Sequence, residues 1–225
     1  MPFAGFGDET LRFLKGLGRN NNKEWFQAHR GAYEDDLLEP SMAFIEAIGP
    51  LIARFSPGVH AEPRIGGSMM RINRDIRFSK DKRPYKDHLD MVFRSGDGMK
   101  GAPTYWFRLT SKELTLGGGM HMLDKAGLDR YRDAVDADGP GKELAAVVRK
   151  VEHQGYDLGG EHYKRVPAGF PADHPRATLL RHHGVYAGTQ MPLPPELHTA
   201  KFPGFCAGHY RKLVPLMDWL EANVA

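Results

Sequence analysis

Between residues 56 and 69 the apolar period of this chain changes from helical to strand spacing, and few folds accommodate such a switch. Behind Pro40, which suits a first helical turn, Phe44, Ile45, Ile48, Leu51, Ile52 and Phe55 form one apolar stripe that reads as core. Ser56-Pro57-Gly58 ends it. Over 69–78 the pattern alternates: Met70, Ile72, Ile76 and Phe78 share a parity with Arg74, while Arg71, Asn73, Asp75 and Arg77 share the other. Leu89, Met91 and Phe93 alternate with His88, Asp90 and Arg94, and Tyr105, Phe107 and Leu109 alternate with Thr104, Arg108 and Thr110. Ser111-Lys112-Glu113 reads as a hairpin turn into Leu114-Thr115-Leu116. Neighbouring strands with one apolar face predict an α+β fold: a largely antiparallel sheet packed against N-terminal, central and C-terminal helices.

The remaining elements follow from caps and breakers. Asp8 is placed to N-cap a helix through Leu17 with Gly18 at C′, and Asn21 with Glu24 imitates a capping box before Trp25, His29 and Tyr33. Asp124 is placed to cap a helix over 124–137, and Gly139-Pro140 opens another over 140–153, with Leu144, Val147, Val148 and Val151 inward. Short strands are expected at 162–166 and 183–191, then a helical tail over 196–223 interrupted near Pro203 and Pro215. With 225 residues, no repeat and no linker, one domain over 1–225 is the simplest account.

Charge is concentrated. Residues 64–86 carry eight cations against Asp75 and Asp81, a local net of +6 within a chain whose net charge is +3, so the rest sums to −3. That is a focused positive field on a mildly acidic body. The segment reads either as a solvated basic loop or as an anion site. A lone Cys206 excludes an intramolecular disulfide framework and Cys-rich zinc modules, which predicts a cytoplasmic protein. No apolar run has the length of a membrane span, and MPFAGFGDET has neither the basic region nor the apolar core of a signal peptide.

Several short motifs dissolve on their context. Gly96, Gly98 and Gly101 spell G-x-G-x-x-G, but Pro103 and a strand pattern follow where a dinucleotide fingerprint needs a helix, so a hairpin loop is expected. Ser79 and Lys82 spell S-x-x-K without the partner motifs of penicillin-recognising enzymes. Eleven histidines include no H-E-x-x-H, and no metal or cofactor is expected; His88, His121 and His174 meet only if the tertiary structure brings them together. Gly117, Gly118 and Gly119, close to His121, read either as an anion nest or as a tight turn.

The run RINRDIRFSKDKRPYK, Arg71 to Lys86, is more specific than a basic patch. It resembles the signature R-x-x-R-D-x-R-F-x-x-x-K-x-P-Y of a mainly bacterial family of uncharacterised proteins, the domain of unknown function 2461 family. Arg71, Arg74, Asp75, Arg77, Phe78, Lys82, Pro84 and Tyr85 fill the eight specified positions. FLKGLGRNNNKEWFQAHRGAYEDDLLEP, LTLGGGMHM and YKRVPAGFPADHPRATLLRHHG are similar to further segments of that family, although Leu123 stands where a proline often follows the glycine strand. The resemblance spans nearly the whole chain, implies a single domain and brings no established activity.

Arginine is not an acid or base at neutral pH, but its planar fork binds carboxylate or phosphate bidentately. As a strand, 69–78 would point Arg71, Asp75 and Arg77 to one face. It would send Arg74 to the apolar face, where burial demands a paired carboxylate. Phe78 reads as core and Pro84 as a turn. The expected ligand-binding set is Arg71, Arg74, Arg77, Lys82, Tyr85 and Lys86, with Asp75 and Tyr85 as catalytic candidates and Gly117, Gly118, Gly119 and His121 as a secondary group. The expected ligand is a small phosphorylated or carboxylated molecule, with enzymatic action left open. The alternatives are a nucleic acid contacted by the basic residues with Phe78, Tyr85, Tyr105 and Trp106, or an acidic protein partner.

Overall fold

Asn22 starts the second helix because its side-chain oxygen accepts the Trp25 N–H at 2.8 Å, one of the donors that a helix start leaves unpaired. In the computed structural model, which describes residues 2–96 and 101–225, the N-terminal helices are α1 (Asp8–Arg19), α2 (Lys23–Ala28), α3 (Arg30–Ala32) and α4 (Glu39–Ala53), with a π-turn at Tyr33–Leu38 between the last two. Then come β1 (Val59–His60), β2 (Leu89–Ser95), β3 (Thr104–Leu109) and β4 (Glu113–Met120). Helices α5 (Lys125–Asp136) and α6 (Asp138–His153), strand β5 (Asp157–Glu161), helix α7 (Ala177–Leu180), strand β6 (His182–Pro192) and helix α8 (Phe202–Asn223) complete the chain. The strands hydrogen-bond in the order β1-β2-β3-β4-β6-β5, and β5 runs antiparallel to β6. The fold is α+β, as the change of period predicts.

The chain forms two compact units. The first comprises Met1–Phe93, Trp106–Leu116 and Gln190–Gly208. Its core is aromatic: the rings of Phe6, Phe44, Phe107 and Phe202 lie with centroids 5.3–6.4 Å apart. The α4 stripe supplies Phe44, Ile45, Ile48 and Ile52 to that core, as expected. A second group joins Phe13, Phe26, Tyr33 and Tyr85, in which Phe26 and Tyr85 stack at 4.3 Å.

The second unit comprises Arg94–Tyr105, Gly117–Thr189 and His209–Ala225. Its buried polar tips find partners: Tyr131 donates its hydroxyl to Leu179 O at 2.8 Å, and Trp219 donates Nε1–H to Pro140 O at 2.9 Å. Asp124 caps α5 by accepting the Gly127 N–H at 2.8 Å.

Several sequence expectations shift. Gly7, not Asp8, stands at the α1 N-cap, and Gly18 lies inside the helix. The strand expected at 162–166 is found at Asp157–Glu161; its Gly159 and Gly160 hide it from a propensity reading, and Gly159 leaves room for the Tyr186 ring. Helix α8 runs unbroken through Pro215, and Pro203 sits in its first turn, where no N–H donor is needed. Gly98 lies outside the described residues.

Candidate functional site

The segment 69–78 is not a strand. Ser68–Met70 lies along β2, with Met70 N–H donating to Asp90 O at 3.0 Å and Val92 N–H to Ser68 O at 2.8 Å. The chain then makes a hairpin-like excursion. Its two arms meet through Lys86 N–H to Ile72 O (2.8 Å) and Arg74 N–H to Pro84 O (2.9 Å). Beyond Arg74 the ladder fails because local side chains compete for the backbone. Asp75 accepts the Arg77 N–H at 3.2 Å and Asp81 accepts the Arg83 N–H at 3.0 Å, so each carboxylate closes a tight turn of its own.

Most of the cationic side chains in this excursion are spent on holding it together. Arg74, half-buried, pairs with Asp81 at 2.9 Å and donates to Arg83 O at 2.8 Å, the carboxylate partner that its burial demands. Arg77 grips Asp75 with two nitrogens, at 3.0 and 2.7 Å. Lys82 donates to Ile76 O at 3.0 Å. Tyr85 is buried against Phe26, and its backbone N–H and C=O are both matched by the Asn21 amide, each at 3.0 Å. These contacts anchor the base of the loop to the start of α2.

Where the excursion returns to β2, an open groove of about 450 Å³ is lined by Met70, Arg71, Asn73, Arg74, Asp75, Lys86, His88, Asp90 and Arg108. Asp90 organises it. Arg108 donates Nε and Nη2 to this carboxylate at 2.7 and 3.2 Å, Lys86 Nζ lies 3.1 Å away and His88 Nε2 3.2 Å away. The other nitrogen of His88 faces Asp87 Oδ1 at 3.0 Å. Burial alone would raise the Asp90 carboxyl, but the hydrogen bonds from His88 and Arg108 outweigh it and hold the group well below the ordinary carboxylate range. Asp90 is therefore a fixed anion that orients Arg108, Lys86 and His88.

Arg71 differs from the rest. It is exposed on the groove wall and, among the described residues, makes no hydrogen bond and no ion pair within 4 Å. With Arg74, Lys86 and Arg108 it makes four cations against Asp75 and Asp90.

The sequence-derived candidates thus separate. Arg71, Arg74, Asp75 and Lys86 come together on the groove, whereas Arg77, Lys82 and Tyr85 do not line it. Asp75 is a weak base, since the side chain and backbone of Arg77 both donate to it and hold its carboxyl below the usual range. Phe78, expected in the core, is 94% exposed, because the strand parity that would bury it does not exist. Gly117, Gly118 and Gly119 lie within β4 rather than in a loop. A Cβ on Gly118 would sit 2.9 Å from the Tyr105 ring, and one on Gly119, whose φ is +138°, 2.4 Å from Tyr186 Cα. Close packing in the second unit requires these glycines, and successive strand N–H groups point in opposite directions instead of forming a nest. His121 packs edge-on against Tyr186 at 5.2 Å, and His174 pairs with Asp136 at 3.2 Å. Among the described residues no three His, Cys, Asp or Glu side chains come together as metal ligands.

A family model described as a conserved hypothetical protein, DUF2461, matches residues 9–219. The chain belongs to this family. A comparison with curated proteins finds no match. In this DUF2461 chain the signature-like run contributes two kinds of residue: braces within the loop, and a smaller set on the groove. Sequence reasoning missed Asp90, His88 and Arg108 as site residues. Their signal was present in the alternation over 88–94 and 104–110, which sets all three apart from the apolar positions, but which strands are neighbours is a tertiary fact.

Proposed function

We propose that the groove binds a small phosphorylated or carboxylated molecule. The observation that carries this reading is Arg71, an exposed guanidinium without a hydrogen-bonded or ion-paired protein partner, in the same groove as an Arg108 whose orientation is fixed by Asp90. The Arg108 guanidinium, held in place by Asp90 before a ligand arrives, loses little entropy on binding, and the open Arg71 adds a second fork suited to the oxygens of a phosphate or carboxylate. The carboxylates on the wall are already engaged, so they repel an incoming anion less than free ones would. With Asp75 clamped by Arg77 and Tyr85 buried, the reading is one of binding, without a catalytic role for either. We also place the protein in the cytoplasm: Cys206 is a buried free thiol, which suits a reducing compartment, and no helix among the described residues is long and apolar enough to cross a membrane.

Isothermal titration with inorganic phosphate, pyrophosphate and citrate tests the reading. At least one should bind, and Arg71→Ala should weaken it by about tenfold or more, the scale of one charge-assisted contact. Lys80→Ala, which removes a charge of the same segment outside the groove lining, should leave affinity within about twofold. Equal affinities for wild type and Arg71→Ala would remove the groove as the site.

A further inference from the structure

Phe78 stands at the far end of the excursion, 94% exposed, the most exposed large apolar side chain among the described residues. Its surroundings give the exposure a chemical sense. Arg77 lies over the ring, 5.8 Å from its centroid, and the same guanidinium is pinned by two hydrogen bonds to Asp75, which lines the groove. A short chain of contacts therefore runs from the groove lining through Arg77 to the aromatic ring. The contacts in that chain, 2.7 Å from Asp75 to Arg77 and 5.8 Å from Arg77 to the ring centroid, set the ring one side chain beyond the groove lining.

Resting on the anion-binding reading above, we infer that the ligand of the groove is a nucleotide unit, with its phosphate on Arg71 and Arg108 and its base stacked on Phe78. A ring flanked by cations is the usual platform for a nucleobase, because every base presents a π-face and the neighbouring charges accompany the phosphates. A purely inorganic or carboxylate ligand leaves the ring without a role and leaves its apolar surface in water. The positive field of residues 64–86 would draw such a ligand toward the loop from solution.

The test compares pyrophosphate with ADP, which carries the same diphosphate plus a base, and with a short single-stranded oligonucleotide, on wild type, Phe78→Ala and Phe78→Trp. Phe78 touches no core, so thermal midpoints should be equal across the three proteins. The expected result is tighter binding of ADP or the oligonucleotide than of pyrophosphate. Phe78→Ala should lose about tenfold on the base-bearing probe alone, and Phe78→Trp should retain it. Preference for ADP identifies a free nucleotide as the source; preference for the oligonucleotide identifies a strand. Equal binding of pyrophosphate and ADP, unmoved by Phe78→Ala, would overturn the nucleotide while leaving the anion site intact. Phe78-dependent capture on phosphatidylserine vesicles with no response to ADP or the oligonucleotide would overturn it in favour of a membrane surface. No binding of any probe would overturn both readings.

Discussion

Arg108 of β3 reaches across to Asp90 of β2 and engages its carboxylate with Nε at 2.7 Å and Nη2 at 3.2 Å. This pairing joins two adjacent strands on their polar side, and Lys86 and His88 converge on the same carboxylate. One half-buried anion thereby fixes the positions of three neighbouring side chains.

Asp90→Asn should loosen all three groups. Removing the charge leaves cations facing a neutral amide, and the expected loss is about 2 kcal/mol at neutral pH, the scale of hydrogen bonds to charged groups. The pH dependence has a definite sign. An unfolded Asp takes up its proton near pH 3.9, whereas in the folded protein this carboxyl is held lower, so its contribution is complete above about pH 4 and is lost as pH falls further. Urea melts at pH 7 and pH 3 should show the wild type losing more stability than Asp90→Asn over that interval. Parallel losses in the two proteins would show that Asp90 does not carry the effect.

Arg71 and Arg74 are three residues apart and should behave oppositely. Arg74→Ala removes the contacts with Asp81 and Arg83 O that tie the excursion together, and should lower stability by about 1–2 kcal/mol. Arg71→Ala removes no hydrogen bond and no ion pair and should leave stability within about 0.5 kcal/mol. Differential scanning calorimetry of the two variants checks the separation of brace from groove.

Glycine positions give a second pair. Gly119→Ala forces a left-handed-side φ of +138° on alanine and drives Cβ to 2.4 Å from the backbone of Tyr186, so the variant should lose more than about 3 kcal/mol or fail to fold. Gly208→Ala, exposed in α8 with open space around its Cβ position, should gain about 1 kcal/mol. Chemical denaturation of both reports the contrast directly.

The helices and the main strands were legible because their signals are local. A capping oxygen at Asp124, a stripe through Phe44, Ile48 and Ile52, and alternation through Leu89, Met91 and Phe93 each act over a few residues, whereas the cap expected at Asn21 falls on Asn22. The reading failed where two local rules compete. Over 69–78 the alternation favours a strand, but Asp75 and Asp81 each bind a backbone N–H two residues on, which closes turns and ends the ladder. Phe78 then leaves the core for solvent, and Arg77 turns to Asp75 instead of lining a site.

The sequence by itself determined the α+β class, the family resemblance and the concentration of positive charge in residues 64–86, since composition and period depend on no distant contact. Only the tertiary structure decided which of those charges are occupied. Arg74, Arg77 and Lys82 are neutralised or hydrogen-bonded within their own loop, while Arg71 stays open in the groove that it lines together with Arg108 of β3. The physical reason is geometric: an ion pair depends on side-chain atoms meeting within a few ångströms, and strand neighbours and turn closures set those distances while spacing along the chain does not.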